Sequence, residues 1–142
     1  MRTQIEKVDG PIDAKDLIRR SPVALVPAAE ERLLNFANLS ASVFIGKIDG
    51  VPACVWGFIQ PSLLAQQAYM WLLTTNLVRE HTFVFIRRAQ RHVEDMLQLY
   101  PLLTGDCVVE DGQAQRWLKL LGAEFSFPKD GKIPFEIRAK HG

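Results

Sequence analysis

The chain has 142 residues, 48% hydrophobic and 23% charged, with a formal net charge of +1. That length suits one domain burying roughly two thirds of its unfolded surface, and the near-neutral balance excludes a strongly basic nucleic-acid binder as the first reading. No apolar run approaches the roughly 20 residues that span a bilayer, and Met1-Arg-Thr-Gln-Ile-Glu-Lys7 has no signal-peptide core, so a single domain over 1–142 in a cytoplasmic setting is expected.

A short first strand is expected over 4–8. Asp13 then reads as the N-cap of a helix that stops before Pro22, with Asp16 in the capping-box position and Ile12 and Leu17 as a hydrophobic staple. A second helix is expected from near Pro27 through Ala37, its Glu30 and Glu31 in the first turn where the helix dipole favours negative charge. Asp49-Gly50 separates apolar runs at 43–48 and 51–59, a hairpin signal because both turn positions need positive φ. Pro52 has no N–H, so the second strand of that hairpin leaves a ladder position unpaired at its start.

Residues 68–75 contain an uninterrupted, aromatic-rich apolar run, Tyr69 to Leu73, that reads as a strand buried on both faces and the third of an antiparallel meander. A polar turn follows over 76–81, then a helix reaching Tyr100, with Ile86, Ala89, Val93, Met96 and Tyr100 spaced to form one buried face. Arg87, Arg88, Arg91 and His92 are the densest basic cluster and read as an exposed helix face, Arg91 and Asp95 lying one turn apart as a weak pair. A strand over 105–109 is expected to run parallel to 68–75, since a helix separates them. Asp111 then caps a short helix with Ala114, Trp117, Leu118 and Leu121 on one side and Gly122 at its end. A hairpin of 123–127 and 134–138, joined through Lys129-Asp130-Gly131-Lys132, closes the chain. Cys54 and Cys107 sit far apart in apolar runs without a neighbouring His or second Cys, which favours buried thiols over a disulfide or a metal site; no metal is expected. Cys107 as a nucleophile is the alternative.

This order of elements resembles the GNAT fold of the acyl-CoA N-acyltransferases over nearly the whole chain. At the level of residues, Asp111-Gly-Gln-Ala-Gln-Arg-Trp-Leu-Lys-Leu-Leu-Gly122 is similar to the late helix motif of that superfamily. The resemblance implies an α+β fold with a mixed, mostly antiparallel sheet of about six to seven strands and about four helices. It implies acetyl-CoA as the acyl donor and an amine as the acceptor, with Leu73, Thr74 and Thr75 holding the coenzyme arm and Arg79 and Thr82 near its phosphates. Trp56-Gly57, Met70-Trp-Leu-Leu73, Tyr100-Pro-Leu102 and Arg116-Trp-Leu118 are similar to small GNAT-like proteins of tailed bacteriophages, some of them internal virion or morphogenesis proteins. That branch implies the host cytoplasm or the virion as location, and a virion or host protein as the partner of a non-catalytic form.

The departures bear on activity. The superfamily cradles the coenzyme pyrophosphate on a Gln/Arg-x-x-Gly-x-Gly/Ala turn, where glycines let backbone N–H groups approach phosphate. Here Asn76-Leu-Val-Arg-Glu-His-Thr-Phe-Val-Phe85 has no glycine, and Leu118 stands where the superfamily often has a tyrosine acid. His81 is a candidate base or phosphate contact, with a solvated residue near a helix start as the plainer reading. Glu110, at the end of a strand beside the expected cleft, is a candidate for orienting or deprotonating an amine, and Asp111 is more simply a cap. Trp56, Trp71 and Trp117 read as core, with an acyl slot at Trp71 or Trp117 as the alternative.

Overall fold

A computed structural model describes residues 2–62, 64 and 66–139, with the side chains of all of these except Thr82 and Val84. Among them seven strands form one mixed sheet in the order β1-β2-β3-β4-β5-β7-β6: β1 (Thr3–Lys7), β2 (Ser42–Ile48), β3 (Val51–Ile59), β4 (Gln67–Thr74), β5 (Leu102–Val108), β6 (Glu124–Phe125) and β7 (Lys132–Arg138). The helices are α1 (Ala14–Arg19), α2 (Ala29–Leu39), α3 (Leu77–Glu80), α4 (Thr82–Leu99) and α5 (Gly112–Leu120). Only the β4–β5 contact is parallel. This is the expected α+β architecture. No described helix is long and apolar enough to cross a membrane.

The two faces of the sheet carry separate cores, as period-two alternation along the strands requires. Val55, Trp71 and Leu73 pack with Leu17, Ile18 and Leu33 of α1 and α2. Trp56, Phe58, Met70 and Leu103 face the other way, against Phe85, Val93 and Met96 of α4 and Trp117 and Leu118 of α5. Asp49 and Gly50 take φ of 50° and 80°, as the hairpin turn needs. Beside Pro52 the β2–β3 register slips: Lys47 pairs Pro52 and Gly46 pairs Cys54, so Ala53 is the extra residue of a bulge.

Several local expectations are corrected. Asp13 Oδ1 accepts the Asp16 N–H at 3.1 Å, but the Asp16 carboxylate bonds Arg19 and Arg20 at 2.6 and 2.9 Å. Only one half of the capping box is therefore seen among the described bonds. The second helix starts at Ala29 and not at Pro27, because Ala28 takes a left-handed φ of 59° that a helix interior excludes. The turn after β4 is partly helical, forming α3 before α4 begins. His92 is not on a solvated face: its ring lies 4.5 Å from that of Phe44 and 5.3 Å from that of Trp56, and burial lowers its pKa. Residue 92 borders the stripe formed by Ala89, Val93 and Met96, and the large rings of β2 and β3 reach it there. Arg91 and Asp95 form no ion pair among the described residues. The strand expected over 123–127 shortens to two residues, and Pro128, without an N–H, bounds its extension.

Candidate functional site

The sheet opens where its two parallel strands part. β4 and β5 pair only through Gln67, Ala68 and Tyr69 with Leu102, Leu103 and Thr104. One residue further, Gly105 lies so close to the Met70 carbonyl and the Phe135 ring that a Cβ there would collide with both. Beyond that contact β5 stays with β7, and β4 stays with β3 as far as Thr74. The Thr75 N–H donates to Ala53 O at 2.8 Å, toward β3. Main-chain direction alternates along a strand, so the N–H and C=O groups of Leu72 and Thr74 face the gap, where β5 no longer pairs with them.

A cavity of about 90 Å³ continues this gap toward α1 and α2. Leu72 and Leu73 of β4, Cys107 and Val108 of β5, and Asp111 and Leu118 are among the residues that line it. So are Arg32 and Phe36 of α2, Tyr69, Trp71, Asp106 and Lys132. Phe36 stacks on Tyr69 and Trp71 with centroids 5.8 and 6.1 Å apart. Trp71 Nε1 donates to Ser40 Oγ at 2.7 Å, and that hydroxyl donates to Phe36 O at 2.7 Å, which fixes this aromatic wall.

Asp111 is 3% exposed. Its Oδ1 accepts the Ala114 N–H at 3.0 Å as the cap of α5, and burial holds its pKa above the ordinary carboxylate value despite that bond and the Arg116 charge. Burial and the neighbouring Asp111 charge push the Cys107 thiol up to about 12, the reverse of what a nucleophilic thiolate needs. The Tyr69 hydroxyl donates to Asp106 Oδ2 at 3.2 Å, and burial together with the Asp106 charge pushes it up to about 12.

The other side of the gap is tied shut. Gln113, in the first turn of α5, donates through Nε2 to Thr74 Oγ1 at 2.8 Å and to Thr75 O at 2.7 Å. Thr75 Oγ1 also donates to Ala53 O at 2.8 Å. In the turn that follows, Val78 is fully buried, and Phe85 in the first turns of α4 is fully buried against Trp117 at 5.3 Å between centroids. No glycine lies between 76 and 85.

The residues expected from sequence fall into two groups. Leu73 lines the cavity, whereas Thr74 and Thr75 do not; both are fully buried with their hydroxyls engaged within the protein. Arg79 is exposed on α3, and the side chain of Thr82 lies outside the described residues. His81 precedes α4 half-buried without a side-chain capping bond, and Glu110 is exposed; neither lines the cavity. The carboxylates that do are Asp106 and Asp111. Of the tryptophans weighed for an acyl slot, Trp71 lines this cavity and Trp117 does not. Sequence reasoning passed over Tyr69, Asp106 and Arg32. Alternation would have put Tyr69 on the face shared by Trp71 and Leu73, and helical spacing would have put Arg32 beside Phe36.

Solved structures share this fold. The ribosomal-protein-S18-alanine N-acetyltransferase from Escherichia coli matches with a TM-score of 0.67 at 14% identity, over 99% of this chain and 97% of that one. The fold is that of the GNAT acetyltransferases. The IAA acetyltransferase from Bacillus cereus ATCC 14579 shares the GNAT architecture at TM-score 0.66 and 9% identity, covering 96% of this chain and 99% of its own. So does a Bacillus subtilis acetyltransferase solved in complex with CoA, at TM-score 0.66 and 6% identity over 98% and 100% of the two chains. No protein-family model matches the sequence, and no curated protein matches it either.

Proposed function

We propose that this GNAT-fold chain is an acyl-CoA-dependent N-acyltransferase that works in the gap between β4 and β5. The observation that carries the reading is the unpaired edge of β4 at Leu72 and Thr74, opening beside a cavity that holds the buried Asp111. The residues fit the coenzyme arm better than its phosphates. The β4 edge offers main-chain N–H and C=O groups to a pantetheine amide, whereas the glycine-free turn over 76–81 has no backbone cradle for a pyrophosphate. Arg79 is the described side chain left for that role. When bound, acetyl-CoA supplies a thioester carbonyl carbon; a C–N bond to an amine replaces the C–S bond, and the amine's proton goes to the departing sulfur. Asp111 is placed to hold the incoming ammonium group and to take up a proton on the way, and the apolar walls keep water from the reacting carbon. His81 and Glu110 take second place to it, since neither reaches the cavity. Leu118 has no proton to give, so sulfur protonation falls to the amine itself or to solvent.

Thermal unfolding with increasing acetyl-CoA tests the donor site. A midpoint that climbs with ligand concentration is expected, and no change at millimolar ligand overturns the reading.

A second reading keeps the fold without turnover. Gln113 already occupies Thr75 O, and Val78 and Phe85 fill the region after β4, which favours a binding or assembly role. The phage-like segments at Trp56-Gly57 and Arg116-Trp-Leu118 suggest a virion component or a module that binds a host protein. Its test is whether purified phage particles contain the protein, and absence from them counts against the virion role.

A further inference from the structure

The charged side chains that line the cavity are of both signs, Arg32 half-buried and Asp111 buried, Asp106 and Lys132 exposed, and none of them is paired with another. Arg32 and Lys132 bring two cations, Asp106 and Asp111 two carboxylates, yet none of the four takes part in an ion pair among the described residues. The Arg32 side chain is half-buried and makes no hydrogen bond among the described residues, although its charge is felt at the Tyr69 hydroxyl. Among the described residues the Asp106 side chain is engaged by that hydroxyl, and Asp111 uses Oδ1 for its cap. The remaining walls are apolar: Val23, Val26, Leu33, Phe36 and Trp71. A half-buried guanidinium in such surroundings is stabilised by an anion, best by a planar carboxylate that its two N–H groups meet together. A ligand carrying only positive charge would satisfy the two carboxylates and be repelled by Arg32. A ligand with both signs satisfies all of them.

On the reading that the cavity is an acceptor site, we propose that the acceptor is a small zwitterion, an α-amino acid with an apolar side chain. Its carboxylate rests on Arg32, its amino group lies on the side of Asp106 and Asp111, and its side chain lies against Phe36 and Trp71. Polyamines and amines without a carboxylate are disfavoured by the same charge.

Two measurements on the full chain test this separately from the donor site. In the first, L-leucine and isopentylamine, its counterpart lacking the carboxylate, are titrated into the protein without acetyl-CoA while Trp71 and Tyr69 NMR signals are followed. L-leucine is expected to shift these signals at about tenfold lower concentration than isopentylamine, and Arg32→Ala to remove that difference while Arg32→Lys restores part of it. In the second, thiol release from acetyl-CoA is compared for L-leucine, isopentylamine and spermidine; Arg32→Ala should raise the KM for leucine far more than it lowers kcat. Equal or tighter binding of isopentylamine or spermidine, or a preference unchanged in Arg32→Ala, overturns the proposal. If leucine binds through Arg32 but acetyl-CoA does not bind, the transferase reading falls and the zwitterion site stands. If acetyl-CoA binds and no amino acid does, the reverse holds.

Discussion

The gap between β4 and β5 and the turn that follows β4 adjoin in the chain, yet they are built in opposite ways. In the gap two strands part, main-chain groups of Leu72 and Thr74 are left without a strand partner, and charged side chains stay unpaired around a cavity. In the turn the space is filled: Val78 and Phe85 are fully buried, and Gly46 of β2 lies under the Phe85 ring so closely that a Cβ there would collide with it. The difference separates two requirements of coenzyme binding that GNAT enzymes usually meet together. An open strand edge serves an amide-rich arm. A phosphate cradle needs backbone approach, which glycine permits and Val78 with Phe85 prevents. On the proposed function, acetyl-CoA would be held here mainly by its arm.

The largest test of that contrast removes the filling. Phe85→Ala should destabilise the protein by about 3–5 kcal/mol, the usual range for deleting a buried phenyl ring, read by chemical denaturation. A loss below about 1 kcal/mol would mean the turn is loosely packed and the contrast is false. Next in size is the tie between the two regions. Gln113→Ala removes the donors to Thr74 Oγ1 and Thr75 O, and about 1–3 kcal/mol of stability should go with them. The same variant should bind acetyl-CoA at least as well as the wild type, because it frees Thr75 O at the rim of the gap. Weaker binding would instead make Gln113 part of the ligand site. Smaller still is the contribution of the nucleotide end. S-acetylpantetheine should bind within about tenfold of acetyl-CoA, a difference under about 1.4 kcal/mol. A far greater loss on truncation would locate a phosphate site that the turn does not suggest.

Much of this contrast could be read from the residues. The missing glycines of 76–85 and the apolar run of Tyr69 to Leu73 are local facts, and so is Asp111 as a cap, because capping depends on neighbours three positions apart. The order of elements along the chain and the mostly antiparallel sheet followed from matching a whole pattern of elements, which is robust to errors of a residue or two at their ends. The cavity was less accessible. Glu110 and Asp111 adjoin in sequence, and only the turn into α5 decides that one points to solvent and the other is buried. Arg32 and Asp106 come from elements separated by three strands and two helices, and no local spacing brings them together. The expected exposure of His92 fails for a related reason: its burial depends on Phe44 of β2 and Trp56 of β3, distant in the chain from α4.

The smallest expected effect concerns Asp111 and pH. Burial raises its pKa in the folded chain above the ordinary 3.8, so in a window above that pH the folded state holds a proton that the unfolded state has lost. Stability from this group must then fall as pH rises through that window, and the ionised carboxylate remains a burden at neutral pH. Asp111→Asn keeps an oxygen for the Ala114 N–H, since Asn caps helices about as well as Asp, but it does not titrate. Relative to the wild type the variant should therefore gain stability as pH rises above the ordinary carboxylate value, seen as thermal midpoints that move apart in its favour. A gap between the two proteins that stays constant with pH would show that Asp111 is solvated, and that the cavity beside β4 is open to water on that side. An amine in the cavity should act in the opposite direction. By pairing with the carboxylate it lowers the pKa of Asp111, so the wild type should bind an amino acid more tightly as pH rises through the ionisation of Asp111, and the variant should not.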